Sequence, residues 1–291
     1  MNYKSILNLL GILLGIFSLS FIPPLILTYM YSESGGEVFL YSFLFFSIFG
    51  VAIWAATRQK NLPLNISDGF IVTTLFWVVL ACAGSVPFYF FGLSVSDAIF
   101  ESASGITTTG ATTIVGLDNL PKSILLYRQL LQWIGGMGLI VLAVAVMPAL
   151  GIGGGQLYKM ELPGSHGNQK LTPKITDSAK ALWKIYVGLT VACATLYVLS
   201  GMNVFDSIAH SLSTVAGGGF STHDGSIGFF DSALLEAVCI IFMLLSAASF
   251  AVHYAAIFGG KPLKYFYDSE FRFFLSVVLL IAMTSRELHF I

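Results

Sequence analysis

The chain has 291 residues, 56% hydrophobic and only 10% charged, with a net charge of −1. Soluble domains carry about 25% charged residues, so this composition excludes an ordinary soluble fold and indicates a membrane protein. The near-zero charge gives no basis for nucleic-acid binding. Cys82, Cys193 and Cys239, each inside an apolar run, form neither a metal spacing nor a disulfide framework and read as packing residues.

A membrane helix needs about 20 mainly apolar residues. The first candidate covers 5–30; it runs past Phe21 with no small-residue cleavage site, so it reads as a span broken at Pro23-Pro24 and not as a signal peptide. Further spans are expected over 38–57, 70–92, 125–149, 182–201 and 232–258, and a seventh begins near 271. Its run, 271–283, is closed off by Arg286, Glu287 and His289 and is too short to span comfortably. The segments 97–107 and 206–215 are too short and too polar to cross, and each starts at an aspartate placed as an N-cap, Asp97 and Asp206.

Those two segments lie inside a doubled stretch. Residues 95–113 read VSDAIFESASGITTTGATT and 204–222 read VFDSIAHSLSTVAGGGFST, and a shift of 109 positions aligns them without a gap. Val95/Val204, Asp97/Asp206, Ile99/Ile208, Ser102/Ser211, Ser104/Ser213, Gly110/Gly219 and Thr113/Thr222 are identical. Each copy is a short helical run ending in a Thr/Gly stretch between long apolar spans, the pattern of a re-entrant pore loop. One such stretch would suit a glycine-rich turn; two aligned copies point to an ion pathway built from repeats.

Charge placement supports the threading. With the N-terminus inside and both short segments dipping in from the outer face, Lys4, Arg58, Lys60, Lys159, Lys170, Lys174, Lys180, Lys184, Lys261, Lys264 and Arg272 fall inside, and only Lys122 and Arg128 outside. The outer connections carry Glu33, Glu37, Asp97, Asp118, Asp206, Asp224 and Asp231, either as an acidic vestibule concentrating cations or as solvated loop charge. Arg128 opens a span near the outer face, where an external acid is its natural partner.

A dehydrated alkali cation needs oxygens to replace its water shell, and inward backbone carbonyls supply them. Such backbone is tolerated at membrane depth only when buried in protein or lining a wet cavity, and glycine adopts the required dihedrals most readily. Gly217, Gly218 and Gly219 fit that demand. In the first loop Thr107, Thr108 and Thr109 offer carbonyls and hydroxyls, with Gly110 at the strained position. The short helices would aim their C-terminal partial negative charge at the cation. Ser102/Ser211 and Ser104/Ser213 can tie the loops down. Glu101, matched by His210, would need a partner if buried, which suits support behind a filter more than ion contact.

Other motifs carry less. The GIGGG stretch at 151–155 lacks a preceding strand and a P-loop lysine, so it does not read as a nucleotide loop. It opens the longest internal loop, roughly 151–180. The Asn65-Ile66-Ser67 acceptor falls on the inner side. Gly11/Gly15 and Gly135, Gly136 and Gly138 permit close helix approach. A secondary transporter of another solute is the alternative function, but it predicts inverted repeats, whereas both copies here start from the same side. An intramembrane hydrolase using Ser102 or Ser104 with His210, His223 or His253 has no nucleophile-elbow motif behind it, so the chain does not read as an enzyme.

The stretches FESASGITTTGATT (100–113), YRQLLQWIGGMGLIVLAVAVMPALGIGG (127–154) and STVAGGGFSTHD (213–224) resemble the Trk/Ktr/HKT superfamily of potassium transporters, most closely its bacterial TrkH-type subunits. The resemblance covers essentially the whole chain. It implies an all-α integral membrane fold in which four helix–pore-loop–helix repeats surround one pore, each supplying a filter glycine. Gly110 and Gly219 match the first two. Glycine at both positions is the potassium-selective type, since serine at the first goes with sodium permeation. Carried over, Thr108, Thr109, Gly217 and Gly218 offer coordinating carbonyls to K+, supported by Glu101, Ser104 and Ser213, with no organic cofactor.

The expected division is an N-terminal helix pair (1–60), a first repeat (61–155), an internal loop with a second repeat (156–260) and the start of a third (261–291). The family pattern needs four repeats, so the chain is expected to be truncated or to require another half. The resemblance further implies potassium uptake across a bacterial inner membrane, a cytoplasmic nucleotide-binding regulatory ring docked at the inner side, and a homodimer of complete subunits.

Overall fold

The structure, a computed structural model, describes residues 2–58, 66–150, 175–261 and 263–288. Lys60, Asn65, the glycine stretch at 151–155, Lys159, Lys170, Lys174 and His289 lie outside the described residues. Helices account for the architecture, and among the described residues four are long and apolar enough to cross a membrane: Tyr3–Tyr31, Gly36–Thr57, Ser67–Phe90 and Lys180–Leu199.

The first of these is jointed. Helix α1 (Tyr3–Ser18) passes through a 3-10 turn at Leu19–Phe21 into α2 (Ile22–Tyr31). The joint precedes the prolines by one turn, because Pro23 and Pro24 occupy the opening positions of α2, where a missing N–H costs no hydrogen bond. Helix α3 (Gly36–Thr57) returns against α1. Their backbones touch: a Cβ on Gly11 would lie 2.9 Å from the Gly50 carbonyl oxygen, and one on Gly50 would lie 2.7 Å from the Gly15 nitrogen. In lipid no hydrophobic force drives helices together, so such close van der Waals packing supplies the association.

Helices α4 (Ile66–Phe90), α5 (Val95–Ile106) and α6 (Lys122–Leu150) form the first repeat, and α7 (Ile175–Leu199), α8 (Val204–Ala216) and α9 (Ala233–Ala247) the second. The sequence places one span over 232–258; the structure breaks it into α9 and α10 (Phe250–Ile257), with Ala248 and Ser249 extended at ψ 143° and 139°. The Leu245 carbonyl, which an unbroken helix would offer to the Ser249 N–H, instead accepts from the Ala248 N–H at 3.0 Å and bonds the His253 ring Nε2 at 2.9 Å. The chain continues through α11 (Lys264–Tyr267) into α12 (Ser269–Leu288).

Burial is distributed as lipid requires. Ile48, Val51, Val191, Leu199 and Ile240 stand on the outer surface, and so does Cys82, which is therefore not a core packing residue. Glu101, Arg128, Gln129, Gln132 and His210 are enclosed. Ionisable side chains inside a helical bundle are costly and need partners, so they locate the site.

Candidate functional site: two loops braced by one helix

Helices α5 and α8 have 12 and 13 residues. At 1.5 Å per residue each spans about 18–20 Å, short of the ~30 Å hydrocarbon core. Both begin one turn earlier than the sequence suggests. The caps are Ser94 and Asn203, whose side-chain oxygens accept from the Asp97 and Asp206 N–H groups at 3.2 and 2.9 Å. Asp97 and Asp206 are thus third-turn-position partners of their caps: Ser94 Oγ donates to Asp97 Oδ2 at 2.7 Å and Asn203 Nδ2 to Asp206 Oδ2 at 2.5 Å. This reciprocal capping fixes the entry of each short helix.

Their inner ends meet the middle of α6. A Cβ on Gly135 would collide with the Ile106 carbonyl at the end of α5, and one on Gly136 would lie 2.6 Å from the Tyr186 hydroxyl and 3.3 Å from Ala216 at the end of α8. These adjacent glycines let one long helix pass between both short ones. The chain then returns to Lys122 at the head of α6, so the first loop enters and leaves on the same side. Glu33 fixes that return: its carboxylate accepts from the Lys122 and Ser123 N–H groups at 2.7 and 3.1 Å. The Lys122 ammonium lies 4.0 Å from the centre of the Tyr31 ring.

The two loops have the same backbone despite different residues. Thr108 N–H donates to the Gly105 carbonyl at 3.0 Å and Thr109 N–H to Ser104 at 2.9 Å; 109 positions later Gly217 donates to Thr214 at 3.1 Å and Gly218 to Ser213 at 2.9 Å. Thr108 and Gly217 are both left-handed, at φ 55° and 67°, as are Gly110 and Gly219, at 78° and 80°. Left-handed backbone in a β-branched residue is a strained outlier, so Thr108 holds a shape that Gly217 adopts freely. Gly218 is not left-handed; it is small because a Cβ there would overlap the Gln132 amide.

Ser104 and Ser213 lock matching points. Each hydroxyl donates to the carbonyl seven residues on, Ala111 at 2.5 Å and Phe220 at 2.8 Å, just beyond the paired glycines. Ser102 and Ser211 do not tie the loops: Ser211 bonds back to Ile208 within its own helix at 2.8 Å, and the Ser102 hydroxyl has no partner among the described residues. The loops also adjoin, since a Cβ on Gly110 would collide with the Gly218 carbonyl oxygen.

Glu101 is fully buried behind the first loop. One carboxylate oxygen accepts from the Thr112 hydroxyl and from the Thr113 and Ile114 N–H groups at 2.7 and 3.3 Å; the other meets Arg128 Nε at 3.4 Å. Arg128 therefore pairs with this buried acid and not with an acid of the outer loops. Its other nitrogens donate to Thr112 Oγ1 and to the Ser221 carbonyl, both at 3.0 Å, and its guanidinium lies 4.3 Å from the Phe220 ring centre. One arginine thus joins both loops. His210, at the position matching Glu101, bonds the Asp206 carbonyl through Nδ1 and the Ser221 hydroxyl through Nε2, both at 2.9 Å. Among the described residues the Ser104 hydroxyl bonds the Ala111 carbonyl, and neither Ser102 nor Ser104 pairs with a histidine.

Outside the loops, a second set of bonds crosses between repeats. The Asp224 carboxylate accepts from the Gly116 N–H at 3.0 Å and the Leu117 N–H at 3.2 Å. His223, stacked on Phe229 at 3.7 Å between ring centres, bonds Asp118 through Nδ1 and Asp206 through Nε2 at 3.2 Å. The hydrogen bond from His223 holds the Asp118 carboxyl below its ordinary pKa. Five of the seven outer acids, Glu33, Asp97, Asp118, Asp206 and Asp224, thereby hold backbone or side-chain donors in place.

Sequence reasoning found the doubled stretch, Glu101 and the serine ties at Ser104 and Ser213. It missed Gln132, Thr112, Ser221 and the His223 bridge. Arg128 and Gln132 stand four residues apart in a largely apolar span, a signal that could have marked them as one polar face.

A family model described as TrkH, cation transport protein, matches residues 35–289. Over 286 residues the chain is 48% identical to the Trk system potassium uptake protein TrkH of Vibrio parahaemolyticus (serotype O3:K6), covering 97% of this chain and 59% of that relative. It is 46% identical over 280 residues to TrkH of Escherichia coli K12, covering 95% of this chain and 58% of the relative. The crystal structure of the potassium transporter TrkH from V. parahaemolyticus superimposes with a TM-score of 0.84 at 45% identity, over 98% of this chain and 58% of that one. The chain thus spans a little under 60% of the length of the relatives it matches. With its paired loops and buried charge brace on an all-helical membrane scaffold, the chain belongs to the TrkH family of cation transport proteins.

Proposed function

We propose that this chain supplies two adjoining quarters of a potassium-selective filter and takes part in potassium uptake. The carrying observation is the backbone identity of the two loops: the same left-handed positions, the same helix-end hydrogen bonds and the same serine ties recur 109 residues apart. A repeated backbone is what a ring of coordinating carbonyls needs, whatever side chains it carries. In this reading the carbonyls of Thr108, Thr109, Gly217 and Gly218 face the ion, and Gly110 and Gly219 permit the turn. Glu101, Ser104 and Ser213 brace the loops from behind.

The relatives' description as potassium uptake proteins supports K+ as the transported ion. The lysine and arginine distribution supports an N-terminus on the inside, and the bacterial relatives support an inner-membrane location. The division into a helix pair (1–60), two repeats (61–155 and 156–260) and a third beginning at 261 belongs to the same proposal. So do the docking of a nucleotide-binding regulatory ring at the inner face and the assembly of complete subunits as a dimer. The test is rubidium uptake by bacteria that lack their own potassium uptake systems and express the chain. Uptake that Gly110→Val abolishes while the chain still reaches the membrane supports the reading; uptake unchanged by that substitution overturns it.

A further inference from the structure

Gln132 has no counterpart in the second repeat, where α9 carries neither glutamine nor arginine. Its side chain is fully buried on α6, one turn below Arg128. Oε1 accepts the Phe220 N–H at 3.0 Å, and because an N–H can donate only to the oxygen, that bond fixes which way the amide faces. Nε2 is left on the side of the loops, buried and without a hydrogen-bond partner among the described residues. A Cβ on Gly218 would overlap the amide, and a Cβ on Gly110 would have Nε2 at 3.7 Å and the Gly218 carbonyl in collision. The amide therefore lies where the first loop meets the second, against the Gly218 backbone and beside Gly110.

We propose that Gln132 is a positioning residue for ion selection: its amide sets the gap between Gly110 and Gly218 and so the spacing of carbonyls contributed by the two loops. This rests on the filter reading given above. Close packing transmits small changes of separation because interiors have few voids to absorb them. A carbonyl ring discriminates among alkali cations through the number and spacing of its oxygens, so a wedge at one seam acts on selectivity before it acts on conduction. The unpaired Nε2 is consistent with a group held for its shape, since buried amide hydrogens in ordinary structural positions find acceptors. The second seam contact, Arg128 to the Ser221 carbonyl, holds the outer part of the loop and leaves the glycine level to Gln132.

The experiment compares rubidium and sodium uptake in cells expressing the wild-type chain, Gln132→Ala and Gln132→Glu, each normalised to the amount in the membrane. Gln132→Ala is expected to lower the rubidium-to-sodium uptake ratio about tenfold, the scale of one lost buried hydrogen bond. Gln132→Glu, which keeps both length and acceptor, is expected to hold the ratio within about threefold. If Gln132→Ala does not reach the membrane, Gln132→Asn, which keeps an amide but withdraws it from the seam by one methylene, carries the same expectation as alanine. A ratio unchanged while both fluxes fall in parallel overturns the proposal and leaves Gln132 a structural residue. Absence of rubidium uptake by the wild-type chain would instead overturn the filter reading, and this inference with it.

Discussion

Replacing Arg128 with methionine removes the group on which both loops converge. The substitution keeps an unbranched stem of similar length, so little volume is lost, but it leaves the Glu101 carboxylate enclosed without its cation. Both side chains are fully buried, at 0% exposure, and Arg128 also serves the Thr112 hydroxyl and the Ser221 carbonyl. Breaking a buried pair by deleting one partner costs about 3–5 kcal/mol, because the remaining charge is neither hydrated nor neutralised. The backbone donors at Thr113 and Ile114 still reach Glu101, which places the expected cost near the lower end, at about 3 kcal/mol. Adding Glu101→Gln removes the stranded charge and should return about 2 kcal/mol, so the double variant is more stable than Arg128→Met alone. Unfolding of the purified protein in mixed detergent micelles, followed by circular dichroism through a double-mutant cycle, measures both steps. A single-variant loss under about 1 kcal/mol, or a double variant as costly as the sum of the singles, refutes the account of Arg128 as the shared brace.

Gly110→Ala should destabilise the protein by more than about 2 kcal/mol and Gly219→Ala by about 1 kcal/mol, because both positions are left-handed but only the first would drive a Cβ into a carbonyl oxygen; the same unfolding assay ranks them, and equal losses count against the loop contact. Thr108→Gly should stabilise the fold by up to about 1 kcal/mol by relieving the left-handed threonine, less the entropy glycine loses on ordering, and a net loss would show that the Thr108 side chain matters more than its backbone. The lowered pKa of Asp118 means that the folded state favours its carboxylate. Its contribution is therefore fully present above the ordinary carboxylate value of about 3.9 and is lost as pH falls through the depressed value. Thermal unfolding from pH 6 to pH 3 should show a smaller acid-side decline in Asp118→Asn than in wild type, and parallel curves would sink the His223 clamp.

Much of this architecture was legible in sequence because lipid simplifies the code. A run of apolar residues long enough to span can form little but a helix, so spans were placed within a few residues. The doubled stretch was legible because repeats preserve the residues that shape the backbone: Ser104/Ser213 and Gly110/Gly219 mark the same ties and turns. The break at Ala248–Ser249 was not, since alanine and serine are both compatible with a membrane helix and the competing bond from His253 lies further along the chain. The caps were misplaced for a similar reason. An aspartate near a helix start serves equally as the cap or as its partner three residues in, and only the geometry of Ser94 and Asn203 separates the two. Arg128 was visible as a charge, but its partner was not. Pairing Glu101 with Arg128 across 27 positions depends on how α5 folds back onto α6, which no local pattern encodes.

The jointed first span has a mechanical meaning. Helix α1 is seated against α3 by glycine contacts that leave it no room to slide, while α2, beyond the three-residue turn at Leu19–Phe21, packs on α6 near its head. Phe21 at that turn stacks on Phe46 of α3 and on Tyr127 of α6, so both helices grip the joint and a shift of the outer end of α6 bears on the whole post. The hairpin acts as a post anchored on α3 along its length and leaning on the head of α6. Cargo attached at the N-terminus, such as a fluorescent protein, would load the end of the post opposite the one that meets the head of α6.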